Sequence, residues 1–348
     1  MLDRTSDDFK KIILPRRPRG RPTTKQAEEY HHDLERFCEA LEEIASTLEF
    51  KVSSRGWCYI LEEHGLPKGD FDLAQKVIND ARKSGLLPVN FCAEDEGRQA
   101  DNLEEIDHET PQQFAHDWVN YVRKRAHEQY TPISFWDDLD VFVQMTVEKV
   151  DLKSLFAEVT EEFHIPIYNV SGWNDLNARA AMMRRFASWE AAGKHCILLH
   201  CGDHDPGGLQ ISNFIRSNLQ DLSKARGVGW SPVDLTIERF GLNADFIRRH
   251  RLTWIDNLET GTGGNLADPN HPDHFKDYVQ SYLKRFGARK VEANALVVRP
   301  EAGRKLCRDT ILKYVPADAV ERVERRLKRV RNQAKREIAR LLKQRSAR

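Results

Sequence analysis

The stretch from Cys196 to Cys201 runs apolar and stops at Gly202-Asp203-His204-Asp205-Pro206-Gly207-Gly208. A short apolar run bounded by turn residues is the mark of a strand buried in a parallel sheet. Strand-like and helix-like segments alternate around it. Asp140 to Thr146 alternates and runs into Val147-Glu148, and a helical pattern covers Leu152 to Phe163. Pro166 to Val170 reads as a short strand. Asn174 to Ala192 reads as a long helix ending at Gly193, and Leu209 to Leu222 as another. This alternation predicts an open α/β, mainly parallel sheet across residues 111–316.

Two acidic clusters fall at the ends of expected parallel strands, Glu148-Lys149 and Asp203-x-Asp205. In open α/β sheets the functional crevice lies beyond the carboxyl ends of the strands. In extended backbone, residues i and i+2 project to one side, so Asp203 and Asp205 would face one point. Two carboxylates there repel unless a cation lies between them. Hard oxygen ligands select Mg²⁺ or Mn²⁺, and Glu148 would complete a three-carboxylate site. The plainer alternative is that Asp203 and Asp205 open a turn or cap the helix at Leu209. The loop from Glu259 to His274 also holds His271, Asp273 and His274, but its Gly-, Asn- and Asp-rich composition reads as solvated loop.

Residues 31–110 read as a small helical unit. Leu34, Phe37, Leu41, Ile44 and Leu48 recur at helical spacing. A second helix is expected over Arg55 to Glu63 with Ser53 or Ser54 as N-cap, and a third over Phe71 to Ser84 ending at Gly85. Apolar pieces from Leu86 to Cys92 suggest a β-wing. Three helices and a wing describe a winged-helix DNA-binding fold. Tyr59 sits on the second helix beside Trp57, Cys58 and Ile60, where a tyrosine is commonly a core residue with a polar tip. Arg55, four residues earlier, lies on the same helical face.

Together these motifs resemble a known family. Glu-Lys after one strand and Asp-x-Asp-Pro-x-Gly after a later one is similar to the Toprim domain, a Rossmann-like metal-binding fold. The likeness is to the form in the topoisomerase VI A subunit and the related meiotic double-strand-break protein. The chain most resembles the small orphan A-like group called Mini-A. Ser54-Arg55-Gly56-Trp57-Cys58-Tyr59 resembles the family segment in which an arginine precedes the nucleophilic tyrosine by four residues. Asp80 to Pro88 resembles the winged-helix module's usual ending, and Arg289-Lys290-Val291-Glu292-Ala293-Asn294-Ala295-Leu296 resembles the family's Glu-x-x-Ala-Leu segment. The resemblance spans roughly residues 50–315. It implies Tyr59 as nucleophile with Arg55 at the scissile phosphate, and Mg²⁺ or Mn²⁺ on Glu148, Asp203 and Asp205. It further implies a 5′-phosphotyrosyl intermediate and a homodimer in which each tyrosine meets the metal site of the other subunit. His204 and Gly208 are local variations on the motif, and Lys149 has no evident role. A Toprim nuclease using water, or a non-catalytic DNA-binding protein, are the alternatives.

The ends of the chain point to the same partner. Formal net charge is zero, yet from Arg322 to Arg348 only Glu324 and Glu337 oppose twelve Lys or Arg. Basic ends on a neutral body suggest a polyanion, here double-stranded DNA. This last piece, residues 317–348, reads as a helix with Val323, Leu327, Val330, Ala334, Ile338 and Leu341 along one side, mostly solvated with one docked stripe. Residues 1–30 read as a flexible basic arm. Its Arg19-Gly20-Arg21 core between prolines resembles an AT-hook for the A·T minor groove, and a plain basic tail is the equal alternative. Arg98 is read as a DNA-backbone contact.

No run of about 18 apolar residues predicts a membrane span, and no basic start leads into an apolar segment. Six scattered cysteines without a C-x-x-C pair read as reduced, buried thiols. The expected location is cytoplasmic, nucleoid-associated if bacterial. No G-x-x-x-x-G-K-[ST] is present, so strand passage would call for a separate ATPase subunit.

Overall fold

The computed structural model describes residues 11–18, 20–93, 104, 106, 108–170, 175–260 and 264–346. Its centre is a four-stranded, all-parallel sheet in the order β2-β1-β3-β4. The strands are β1 (Val141–Val147), β2 (Ile167–Asn169), β3 (His195–Cys201) and β4 (Thr236–Gly241). Among the described residues the α-helices are α1 (Thr24–Ala45), α2 (Ser54–Glu63), α3 (Phe71–Ser84), α4 (Pro111–Lys124), α5 (Val150–Glu162) and α6 (Leu176–Ala191). They continue with α7 (Ile211–Gln220), α8 (Ala244–Arg249), α9 (Asp277–Phe286), α10 (Pro300–Ile311) and α11 (Ala319–Ser346).

Side chains alternate across β1 and so assign the helical layers. Phe142 packs against Phe186 and Trp189 of α6. Met145, three residues on, faces the other way and meets Cys307 of α10. Phe156 of α5 reaches Phe240 of β4. Both faces of the sheet are thus covered, which is why β1 and β3 are buried almost throughout. The chain leaves β1 for β2 on one side and then returns to β3 on the other. The strand order therefore reverses between β1 and β3, the switch point where ligands bind in open α/β sheets.

The N-terminal helices belong to the same apolar cluster, which runs from Phe37 and Leu41 through Trp57 to Met145 and Leu199. Ser53 caps α2 by accepting from the Gly56 amide, and Gly85 ends α3 with φ +84°. The expected wing does not form over Leu86 to Cys92. Among described residues 86–93 no strand forms. Phe91 stacks on Trp57, Ala93 N–H donates to Val52 O, and Arg82 donates to Val89 O, so turns satisfy this backbone instead of a ladder. The basic arm is also shorter than expected. Thr23 caps a helix that begins at Thr24, Leu14 is buried, and Arg16 pairs with Asp70 at 2.5 Å. Residues 11–18 carry no regular structure, as their prolines dictate.

The basic terminal helix follows the docked-stripe pattern. Ala319, Val323 and Leu327 are buried, Val330, Ala334 and Ile338 are half-buried, and Leu341 is exposed. All six cysteines are buried and unpaired. No helix among the described residues is long and apolar enough to cross a membrane.

Candidate active site at the strand ends

The register of β1 against β3 pairs Val147 with Cys201, so the chain leaves both strands at one level. Glu148 N–H donates to Cys201 O at 3.0 Å, and Asp203 N–H donates to Glu148 Oε2 at 2.9 Å. Such closeness needs small residues. A Cβ on Gly202 would lie 2.7 Å from both Glu148 Oε2 and His200 Nε2, and one on Gly208 would lie 2.1 Å from Asp203 O. Gly208, a variation by sequence, is thus required by the turn. His200 interrupts the apolar strand and is buried. Its Nδ1 meets Thr146 Oγ1 at 3.0 Å, and burial pushes its pKa down to about 4, so it is neutral.

The Asp203-His204-Asp205 loop splits by side. His204 turns into an aromatic nest of Trp254, Tyr282 and Phe286, with Nδ1 at 3.0 Å from Leu242 O. Asp203 accepts the Ala293 amide on Oδ1 at 2.7 Å, and Asp205 accepts the Gly208 amide on Oδ1 at 2.5 Å. Arg239 of β4 donates to Asp203 O at 2.9 Å and to Leu242 O at 2.7 Å, fixing the loop from below. Burial pushes the Asp203 carboxyl well up, reinforced by Glu148 and Glu292. Asp205 is raised by burial and by Glu148. Burial works against Glu148 as well, but Lys149 and the Asp203 amide hold it below the ordinary carboxylate range.

Lys149 and Glu292 complete the cluster, and sequence reasoning gave neither a role. Lys149 Nζ lies 2.9 Å from Asp203 Oδ2, 3.0 Å from Glu292 Oε2 and 3.6 Å from Glu148 Oε1. Glu292 Oε1 is held from behind by Lys68 at 2.8 Å and Lys290 at 3.0 Å. Lys290 in turn reaches Glu62 of α2 at 3.4 Å. Burial opposes the charge on Glu292, but these three ammonium groups keep it far below the ordinary range. The only sequence signal for Glu292 was its place in the Glu-x-x-Ala-Leu segment. Lys68 carried none, because it joins the cluster through tertiary packing alone.

Helix α2 is locked onto this cluster. A Cβ on Gly56 would come within 2.0 Å of Asp151 Oδ2. That carboxylate stands in the first turn of α5 and also takes the Ser53 amide at 3.0 Å through Oδ1, so it ties the start of α2 to the start of α5. The result brings Tyr59 to the strand ends of its own chain. Lys149 Nζ lies 4.2 Å from the Tyr59 ring centre, and Lys68 Nζ 5.9 Å. The ring meets Phe71 edge-on at 5.3 Å. Arg55 shares the helix face, 6.0 Å from the Tyr59 ring centre, and pairs with Asp72 at 3.6 Å.

Glu148, Lys149, Asp203, Asp205 and Tyr59 are therefore one assembly, with Arg55 at its rim. Gly20 (φ +76°) and the exposed Arg21 lie in the arm. Arg19 and Arg98 lie outside the described residues. Glu148, Asp203 and Asp205 are the residues here whose oxygens could hold a hard divalent cation. Among the described residues, however, no three His, Cys, Asp or Glu side chains already converge as a cation site, including His271, Asp273 and His274. Lys149 stands among the carboxylates instead. No protein-family model, curated protein or solved structure matches the chain.

Proposed function

We propose that this protein binds double-stranded DNA and cleaves it by divalent-metal-dependent transesterification, as a type IIB topoisomerase A-like enzyme with a Toprim-type catalytic half. The observation that carries this reading is the meeting of Tyr59 with the strand-end carboxylates across Lys149. A phenol against a cationic group, beside hard oxygen donors at a sheet switch point, is the equipment of phosphoryl transfer. Tyr59 Oη bonds to the backbone phosphorus and gives up its proton. The bond from phosphorus to the 3′ oxygen breaks, and that oxygen leaves protonated as a hydroxyl. A 5′-phosphotyrosyl link remains. Arg55 offers its guanidinium to the phosphate. Mg²⁺ or Mn²⁺ on Glu148, Asp203 and Asp205 would supply Lewis-acid charge at the same phosphate.

Helices α1–α3, Arg98 and the basic ends, with Arg19-Gly20-Arg21 at the minor groove, provide the duplex contacts of this reading. A double-strand break needs two sites, hence a homodimer, and strand passage needs a separate ATPase subunit. Because Tyr59 faces the cluster of its own chain, each site is taken as complete within one subunit. This departs from the exchange between subunits that the resemblance implied.

The test is covalent capture. Full-length protein, supercoiled DNA and Mg²⁺ or Mn²⁺ are mixed, quenched with detergent and assayed for 5′-linked protein. Tyr59→Phe and Asp203→Ala should each abolish the adduct. Metal-dependent cutting that survives Tyr59→Phe without an adduct would assign a Toprim nuclease instead. An equal mixture of the two variants, refolded together, should stay inactive, whereas recovered single-strand nicks would mean that sites form between subunits.

A further inference from the structure

Lys149 stands between Tyr59 and the carboxylates, yet the cleavage steps just described give it no bond to make or break. It precedes α5 in extended conformation and makes no side-chain cap. Its side chain is 12% exposed and its ammonium touches Asp203, Glu292 and Glu148 together. Asp203 and Glu292 each have one oxygen tied elsewhere. Asp203 Oδ1 is held by the Ala293 amide, and Glu292 Oε1 by Lys68 and Lys290. The remaining oxygen of each meets Lys149. A single ammonium therefore occupies the point at which carboxylates from the ends of β1 and β3 and from the 290–296 segment converge. Any divalent cation bound by Asp203 and Glu148 competes with it for the same oxygens.

We propose that Lys149 is a built-in counter-cation which the divalent metal displaces from Asp203 and Glu148, leaving the ammonium with Glu292 and the face of Tyr59. The proposal rests on the metal-dependent reading of this site. Lys149 acts in it as a positioning residue. In the unloaded protein it stops the carboxylates from repelling one another. On loading it stays beside the nucleophile, since Glu292 Oε2 at 3.0 Å and the face of the Tyr59 ring still hold it. Metal occupancy and positive charge at Tyr59 are thereby coupled.

The measurement is Mn²⁺ binding to the full-length, DNA-free protein, followed by the electron paramagnetic resonance signal of free Mn²⁺. Lys149→Met and Lys149→Gln should each bind Mn²⁺ at least about tenfold more tightly than the parent protein, because the competing charge is gone. Lys149→Arg, which keeps the charge, should not. A merely structural lysine would give weaker or unchanged binding on removal, and that result in both neutral variants overturns the proposal. Gln serves as the second variant should Met disturb folding, which thermal melting checks. Absence of Mn²⁺ binding in every form would sink the metal-dependent reading along with it. Parent protein that needs Mn²⁺ and Asp203 for the adduct, beside Lys149 variants that bind no tighter, would overturn this inference alone.

Discussion

Charge is handled in opposite ways at the two ends of the body. At the strand ends, Lys290 and Glu62 are each 1% exposed and Glu292 likewise, with three ammonium groups around one carboxylate. Along α11, Arg326 pairs with Asp138 while both remain more than a third exposed, and most other cations of that helix face water. A buried ion has lost its hydration and depends wholly on its partners. An exposed ion keeps its water and gains little from a partner. The first region should therefore lose stability when a buried partner such as Lys290 is removed. The second should tolerate edits in stability while responding to salt in DNA binding.

The sharpest break is expected at Lys290. Lys290→Met leaves Glu62 and Glu292 facing each other with one ammonium fewer, at a cost of about 3–5 kcal/mol in urea unfolding. The double replacement Glu62→Leu with Lys290→Met removes the stranded carboxylate as well and should recover part of that loss. A double variant no more stable than the single one would show that packing, and not charge, holds α2 to the body.

A smaller effect distinguishes Glu63 from its neighbours. Burial pushes its carboxyl up to about 7, with Arg299 only partly opposing. A carboxyl raised in the folded state contributes stability that is fully present below its ordinary pKa and lost as pH rises through about 7. The parent protein should therefore weaken from roughly pH 4.5 to 7 on this account. Glu63→Gln stays neutral throughout, so it should flatten that decline and exceed the parent protein at pH 8 by on the order of 2 kcal/mol. Melting curves of the two proteins that run parallel from pH 5 to 8 would mean that Arg299 keeps Glu63 ionised in the folded state.

What was legible in the sequence follows the same division between local and distant causes. β1, β3, α3 and α6 were readable because a buried parallel strand and an amphipathic helix leave local periodicity, and Gly85 and Gly193 punctuate it. β4 was missed because Thr236 to Arg239 are only half-buried, so no apolar run marks it. α4 was missed although Thr110 caps it, Pro111 occupies its first turn, and Phe114, Trp118 and Tyr121 recur along one face. The expected wing failed because Phe91 is used to cover Trp57, not to pair strands. At the site, Glu148, Asp203 and Asp205 were found through spacing and strand position. Lys68 and Arg239 could not be, because each reaches the cluster from a segment with no motif of its own, and Lys290 was quoted only as part of the segment around Glu292. The need for glycine at position 56 comes from Asp151, a tertiary neighbour, and leaves no local signal.

The least effect should come from Arg326→Ala. Arg326 bridges α11 to Asp138 on the body, but both side chains stay hydrated, 40% and 45% exposed. An exposed pair of this kind contributes below about 1 kcal/mol, and 0.5 M salt screens most of that. The docking of α11 is carried instead by Val323 and Leu327, which are buried, and by the Arg331 contact with Tyr130 O. Leu327→Ala should thus cost more than Arg326→Ala, by roughly 2 kcal/mol for a buried leucine at the edge of the core. The check is urea unfolding of both variants at low and high salt. If Arg326→Ala proved the costlier of the two, and the difference vanished at 0.5 M salt, the terminal helix would be held by charge. The contrast with the strand ends would then be one of degree and not of kind.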